Sequence, residues 1–134
     1  MSLAESCLTV AIISTVTMIA VPSLRRSHEV YLLNGAARHV AANMHSARIN
    51  AVSRNRDCRL RVISETSYAI ECEESTWIPV ESVATPQGIH IAANNRPEFH
   101  KRGNVAPTAT ITLWDSAGRQ KRVIVNNAGR VRIQ

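Results

Sequence analysis

From Leu3 to Val21 the chain holds an unbroken apolar run of about 19 residues, whose only ionisable groups are the Glu5 carboxyl and the Cys7 thiol. At ~1.5 Å per residue, a helix of this length crosses a bilayer core. A carboxylate in hydrocarbon costs at least a few kcal/mol. Either the segment stays out of the membrane, or Glu5 finds a partner that the segment does not contain. A third resolution is that the side chain extends to the headgroups, since it stands near the end of the run.

The charged flank, "RRSHE", follows the run. A secretory signal has its positive charges in front and a small-residue cleavage site behind. The run therefore reads as a retained anchor. Arg25 and Arg26 taken alone favour an orientation with the N-terminus outside. The expected organisation is a membrane-spanning helix half over residues 1–24 and one globular domain over residues 25–134.

Helical periodicity continues beyond Pro22. Val30, Leu33, Ala37, Val40, Met44, Ala47 and Ala51 recur at alternating intervals of three and four, which makes one apolar stripe. Arg38, Asn43, His45 and Arg48 are expected on other faces. A single helix should run from about residue 2 to about 53, with Pro22 loosening it and Gly35 a second soft point. After Asn55 the period becomes two. In "DCRLRVISETSYAIECEE", a turn at Ser64–Thr66 sets Val62 against Tyr68, Leu60 against Ile70 and Cys58 against Cys72. That register predicts a Cys58–Cys72 disulfide and hence an oxidising compartment; two buried thiols are the alternative.

"TWIPVES" and "GIHIAAN" are short strand candidates, and "NNRPEFHKRGNVAPT" reads as a long loop. Three closing strands then turn at Ser116–Gly118 and Asn126–Gly129. The fold class is α+β: a long N-terminal helix, hydrophobic in its first half, packed on an antiparallel β-sheet. Aromatic residues make up only 4% of the chain, so the core must be aliphatic.

The sequence contains no HExxH, GxSxG or phosphate-cradling glycine loop, and the spacing of His39 and His45 is not a ligand spacing. No catalytic residue, metal site or cofactor is expected. His28, His90 and His100 likewise read as incidental, Trp77 and Trp114 as half-buried strand residues, and Cys7 as an inert packed thiol. The net charge of +6, carried mostly by arginine, favours acidic partners. Arg119, Lys121, Arg122, Arg130 and Arg132 come from adjacent hairpin strands and are expected to form one positive patch. Arg130 and Arg132 would stand about 7 Å apart, close to the phosphate repeat of a nucleic-acid strand. No aromatic sits beside the patch in this reading, which argues against base stacking. An arginine-rich edge also discourages sheet-to-sheet aggregation.

Leu3, Glu5, the Val10–Ile13 run, Ala20 and Pro22 together resemble the type IV pilin superfamily. "SARINAVSRNRDCRLRV" and "RQKRVIVNNAGRVRIQ" are similar to the helix end and closing hairpin of minor pilins and pseudopilins of the GspH/FimT type. Ser14, where pilins commonly have glycine, and Cys7 depart from the pattern. The resemblance implies a pilin-like fold and a non-enzymatic filament subunit of a type IV pilus or type II secretion pseudopilus. It implies processing by prepilin peptidase, with Met1 as the first residue of the processed chain and its amine N-methylated. Pilin-type insertion needs the opposite orientation to the one Arg25 and Arg26 favour, and a lost basic leader would supply the charge that sets it. Its partners would be homologous subunits, with the chain held in the bacterial inner membrane before assembly and in a periplasmic or extracellular filament afterwards. Glu5 would then meet the α-amino group of a neighbouring subunit, and Pro22 would mark a point of local unwinding. The "GRVR" at 129–132 also matches a pattern linked to DNA capture by a competence minor pilin, which makes DNA the alternative partner.

Overall fold

A computed structural model describes residues 2–134, so Met1 lies outside the described residues. Helix α1 spans Leu3–Ser53 and contains Pro22. The chain divides into two compact units, Met1–Tyr31 and Leu32–Gln134.

In the first unit the large apolar side chains are exposed, among them Leu3, Ile13, Met18 and Leu24. Val30, expected on the buried stripe, is exposed as well, because the core begins only at Leu33. The hydroxyls scattered through the run do not add polarity to its outside. Thr9 donates to the Glu5 carbonyl (2.7 Å), Ser14 to Val10 (2.7 Å), Thr15 to Ala11 (3.0 Å) and Thr17 to Ile13 (2.7 Å). Each is satisfied within the helix, which removes the cost of an unpaired hydroxyl in an apolar medium. Pro22 brings no N–H, so it cannot serve the Met18 carbonyl one turn back.

In the second unit, the α1 residues from Leu32 onward supply one side of the core. Leu33, Ala36, Ala37, Val40, Ala41, Met44, Ala47 and Ala51 are buried. Five of these eight are alanines, which permits close approach of the strands. Asn43 is buried too, contrary to expectation, because its amide donates to the Tyr68 hydroxyl at 2.9 Å. The helix ends in a Schellman arrangement. Arg56 N–H donates to Ala51 (3.1 Å), Asn55 N–H to Val52 (3.4 Å), and Asn55 takes the left-handed conformation (φ 48°).

The strands are β1 (Cys58–Ser64), β2 (Ser67–Glu73), β3 (Trp77–Ala84), β4 (Ile89–Ala93), β5 (Glu98–Phe99), β6 (Ala109–Asp115), β7 (Gln120–Val125) and β8 (Val131–Ile133). They form two four-stranded sheets rather than one, ordered β3-β2-β1-β5 and β4-β6-β7-β8. The division falls between β3 and β4. β4 pairs with β6, setting Ile91 across from Leu113, instead of extending the β1–β2–β3 meander. β3 remains an edge strand, the position where Pro79 costs no ladder hydrogen bond.

The inner faces of both sheets and the helix stripe share one core cluster, mostly aliphatic, in which Tyr68 and Phe99 are the aromatic members and Cys58 and Cys72 also take part. The stretch expected to be a plain loop contains β5. Phe99 is the chain's only phenylalanine and is fully buried, which holds this short strand against β1.

Candidate assembly and binding surfaces

Glu5 stands in the first turn of α1, where a negative charge complements the helix dipole. Among the described residues, no hydrogen bond or ion pair reaches its carboxylate. The α-amino group expected to meet it in an assembly belongs to Met1, outside the described residues. Cys7 is a free, exposed thiol.

The β1–β2 register is the one read from the alternation: Cys58 opposite Cys72, Leu60 opposite Ile70, Val62 opposite Tyr68. Cys58 and Cys72 are joined by a disulfide and fully buried. On the opposite face Glu71 is also buried, held by two arginines. Arg59 Nε donates to Glu71 Oε2 at 2.8 Å, and Arg61 Nε lies 2.8 Å from Oε1. The Arg59 guanidinium also lies 4.0 Å from the Trp77 ring centroid, a cation–π contact.

The five basic residues of the closing hairpins do not form one patch. Arg119 pairs with Asp115 (Nε to Oδ2, 2.6 Å), and Lys121 stands opposite Leu113, on the face that carries the core. Arg122, Arg130 and Arg132 do share the other face. Arg132 lies across from Ile124, Arg122 exchanges backbone hydrogen bonds with Gln134, and Arg130 continues the same alternation opposite Asn126. An aromatic is closer than expected. Trp114 occupies this face diagonal to Arg122 and stacks on His90, ring centroids 5.6 Å apart.

Two residues whose roles the sequence did not suggest organise this end of the fold. Arg48, expected to face outward, directs its guanidinium to two carbonyls: Nε to Gly103 (2.9 Å) and Nη1 to Gly129 (3.4 Å). It ties the helix to the 100–105 turn and to the last hairpin turn. Gly129 has φ +75°, and a Cβ there would lie 2.7 Å from both Arg48 Nε and the Gly103 oxygen. The glycine of "GRVR" is thus fixed by packing. A hairpin glycine is a visible signal in sequence, but a helical arginine that reaches two distant turns is not.

Asp115 anchors the β6–β7 turn. Its Oδ1 accepts the N–H groups of Ala117 and Arg119, both at 3.0 Å. Burial pushes its pKa up, but the Arg119 hydrogen bond and charge and those two N–H groups outweigh it, and the carboxyl sits below the usual range. Of the histidines, His39 Nδ1 lies 3.3 Å from the Tyr68 hydroxyl. Burial pushes the Tyr68 phenol up to about 12 against the opposing Asn43 hydrogen bond. His100 converges with Asp57 and Glu98, the three offering ligand atoms within 4.8 Å of one another. Spacing along the chain could not reveal this, because Asp57, just before β1, and His100, just after β5, are far apart in sequence and meet only through the β1–β5 pairing.

A family model described as the type II transport protein GspH matches residues 36–129. No curated protein sequence matches the chain. Among solved structures, the fold is similar to the minor pseudopilin EpsH of the type 2 secretion system of Vibrio cholerae, with a TM-score of 0.68 and 12% identity over 76% of this chain and 95% of that one. It is also similar to the type IV minor pilin FimU of Pseudomonas aeruginosa (TM-score 0.64, 18% identity, 76% and 87% covered). The solution structure of E. coli GspH is a third (TM-score 0.63, 10% identity, 82% and 88% covered).

Proposed function

The chain belongs to the GspH family of type II transport proteins, and from that premise we propose that it is a structural subunit of a type II secretion pseudopilus or type IV pilus. Residues 1–24 would span the inner membrane before assembly and line the filament core afterwards, with the domain over 25–134 on the filament surface. The observation that carries this reading is the exposed apolar segment. Its hydroxyls are satisfied internally, while its one carboxylate has no described partner. Lipid is already apolar, so helices that leave it for one another gain by packing and by pairing polar groups. An α-amino group and a carboxylate, each costly alone, become tolerable together and form only at one helix offset. The pair would set register. Prepilin peptidase would expose the amine, N-methylation would leave its charge in place, and Pro22 would allow local unwinding.

The test is Glu5→Ala in cells that assemble these filaments. We expect the membrane-inserted pool to be unchanged and the filament fraction to fall at least about ten-fold, the effect of losing a charge-assisted pair worth 1.4 kcal/mol or more. Wild-type incorporation would contradict the pairing.

One observation favours a second reading, DNA capture: Arg122, Arg130 and Arg132 share a face with Trp114. Full-length chain in detergent should then shift duplex DNA, and binding should weaken with salt at a log–log slope of about −3 for three phosphate contacts. Arg130→Ala with Arg132→Ala should reduce the slope by about two. An absence of binding at low salt removes this reading.

A further inference from the structure

Asp57 precedes β1 directly, and the β1–β5 register (Cys58 with Phe99, Arg59 with Glu98) sets it across from His100. Phe99 points into the core, so Glu98 and His100, on either side of it, fall on the opposite face together with Asp57. His100 Nδ1 lies 2.9 Å from Asp57 Oδ2 and 3.9 Å from Glu98 Oε1. All three residues are half-buried. We propose that Asp57, Glu98 and His100 form a binding site for a divalent first-row cation, with Zn²⁺ the best match.

The donor set and its geometry carry the assignment. Zn²⁺ takes imidazole nitrogen at about 2.0–2.1 Å and carboxylate oxygen at about 2.0–2.2 Å, so its tetrahedral ligand atoms stand about 3.4 Å apart. The two His100 separations bracket that value and the Asp57 and Glu98 oxygens lie within 4.8 Å of each other, so side-chain rotation would have to draw the three atoms to equal spacing. One nitrogen with two carboxylates suits a borderline cation. Ca²⁺ seeks six to eight oxygens, and Mg²⁺ keeps most of its water. Three protein ligands leave a fourth position for water.

The surroundings support the site. The Lys101 backbone N–H donates to Asp57 Oδ1 at 3.0 Å, which fixes the carboxylate and leaves Oδ2 turned to His100. Arg59 stands opposite Glu98, but its guanidinium is engaged by Glu71 at 2.7–2.8 Å and lies over Trp77. A neutral His100 would bind through Nδ1 with its proton on Nε2, and an imidazolium would first release one proton to solvent. The ion would staple the two-residue strand β5 to β1, and with it the turn from His100 to Asn104.

The experiment uses the full-length chain in detergent, stripped with chelator, in a Cys7→Ser background that removes the exposed thiol. Calorimetric titration with Zn²⁺ should show one saturable, chelator-reversible site. Saturation should raise the melting temperature of the Leu32–Gln134 unit by at least about 5 °C, as ligand linkage predicts. Ca²⁺ should not reproduce the shift. Glu98→Gln keeps the Asp57–His100 pair, so without metal it should melt with its parent while binding Zn²⁺ at least about ten-fold more weakly. His100→Gln should do the same to binding and remove the nitrogen ligand from the X-ray absorption signal. The assignment is overturned by a lack of saturable binding, by equal stabilisation with Ca²⁺, or by unchanged affinity in both variants.

Discussion

Gly129 and Asp115 show how single residues set the closing hairpins. Gly129 combines a positive φ with a position where a Cβ would collide with Arg48 and a backbone carbonyl. Backbone strain and the displaced Arg48 contacts should together make Gly129→Ala cost about 3 kcal/mol. Urea unfolding followed by tryptophan fluorescence can check this, since Trp77 and Trp114 both lie in the Leu32–Gln134 unit. Asp115 gives a pH signature. Its carboxyl is depressed in the folded state, so its contribution is fully present above the unfolded pKa near 3.8 and is lost as pH falls through the lower folded value. The wild type should lose stability steeply below about pH 4. Asp115→Asn should be less stable at neutral pH by about 2 kcal/mol and flatter in the acid range. At this scale the sequence was legible where geometry is local: a glycine in a turn, cysteines in a two-residue alternation. It was illegible where partners come from afar, as with Arg48 on Gly103 and Gly129, or Asn43 on Tyr68.

Among the elements, α1 and the β1–β2 hairpin were readable because each obeys one period throughout. The 3.6-residue stripe marks the buried face from Leu33 to Ala51, and the two-residue alternation sets the register that brings Cys58 to Cys72. The disulfide closes a loop with a sequence separation of 14, for which chain entropy gives about 3 kcal/mol. Cys58→Ser with Cys72→Ser should therefore lower the urea midpoint by that equivalent, and reducing agent should move the wild type toward the double variant. An unchanged midpoint would mean that the bond adds nothing beyond packing. The division into two sheets was hidden because the sequence of β4 carries no sign of whether β3 or β6 is its neighbour. β5 was hidden because two residues show no period, and only the burial of Phe99 reveals it.

At the scale of the whole molecule, the core in Leu32–Gln134 needs nothing from the first two dozen residues, which present apolar side chains to their surroundings. If the chain is a filament subunit as proposed, the matching helices of other subunits would cover that surface. In the proposed assembly, Glu5 would be the polar contact that sets their offset. The direct measurement is a cryo-electron microscopy map of filaments that contain this chain, at a resolution that places side chains. The Glu5 carboxylate should lie about 3 Å from the α-amino nitrogen of an adjacent subunit. A carboxylate resolved in the filament with no such nitrogen within about 5 Å, or turned to open water, would contradict it.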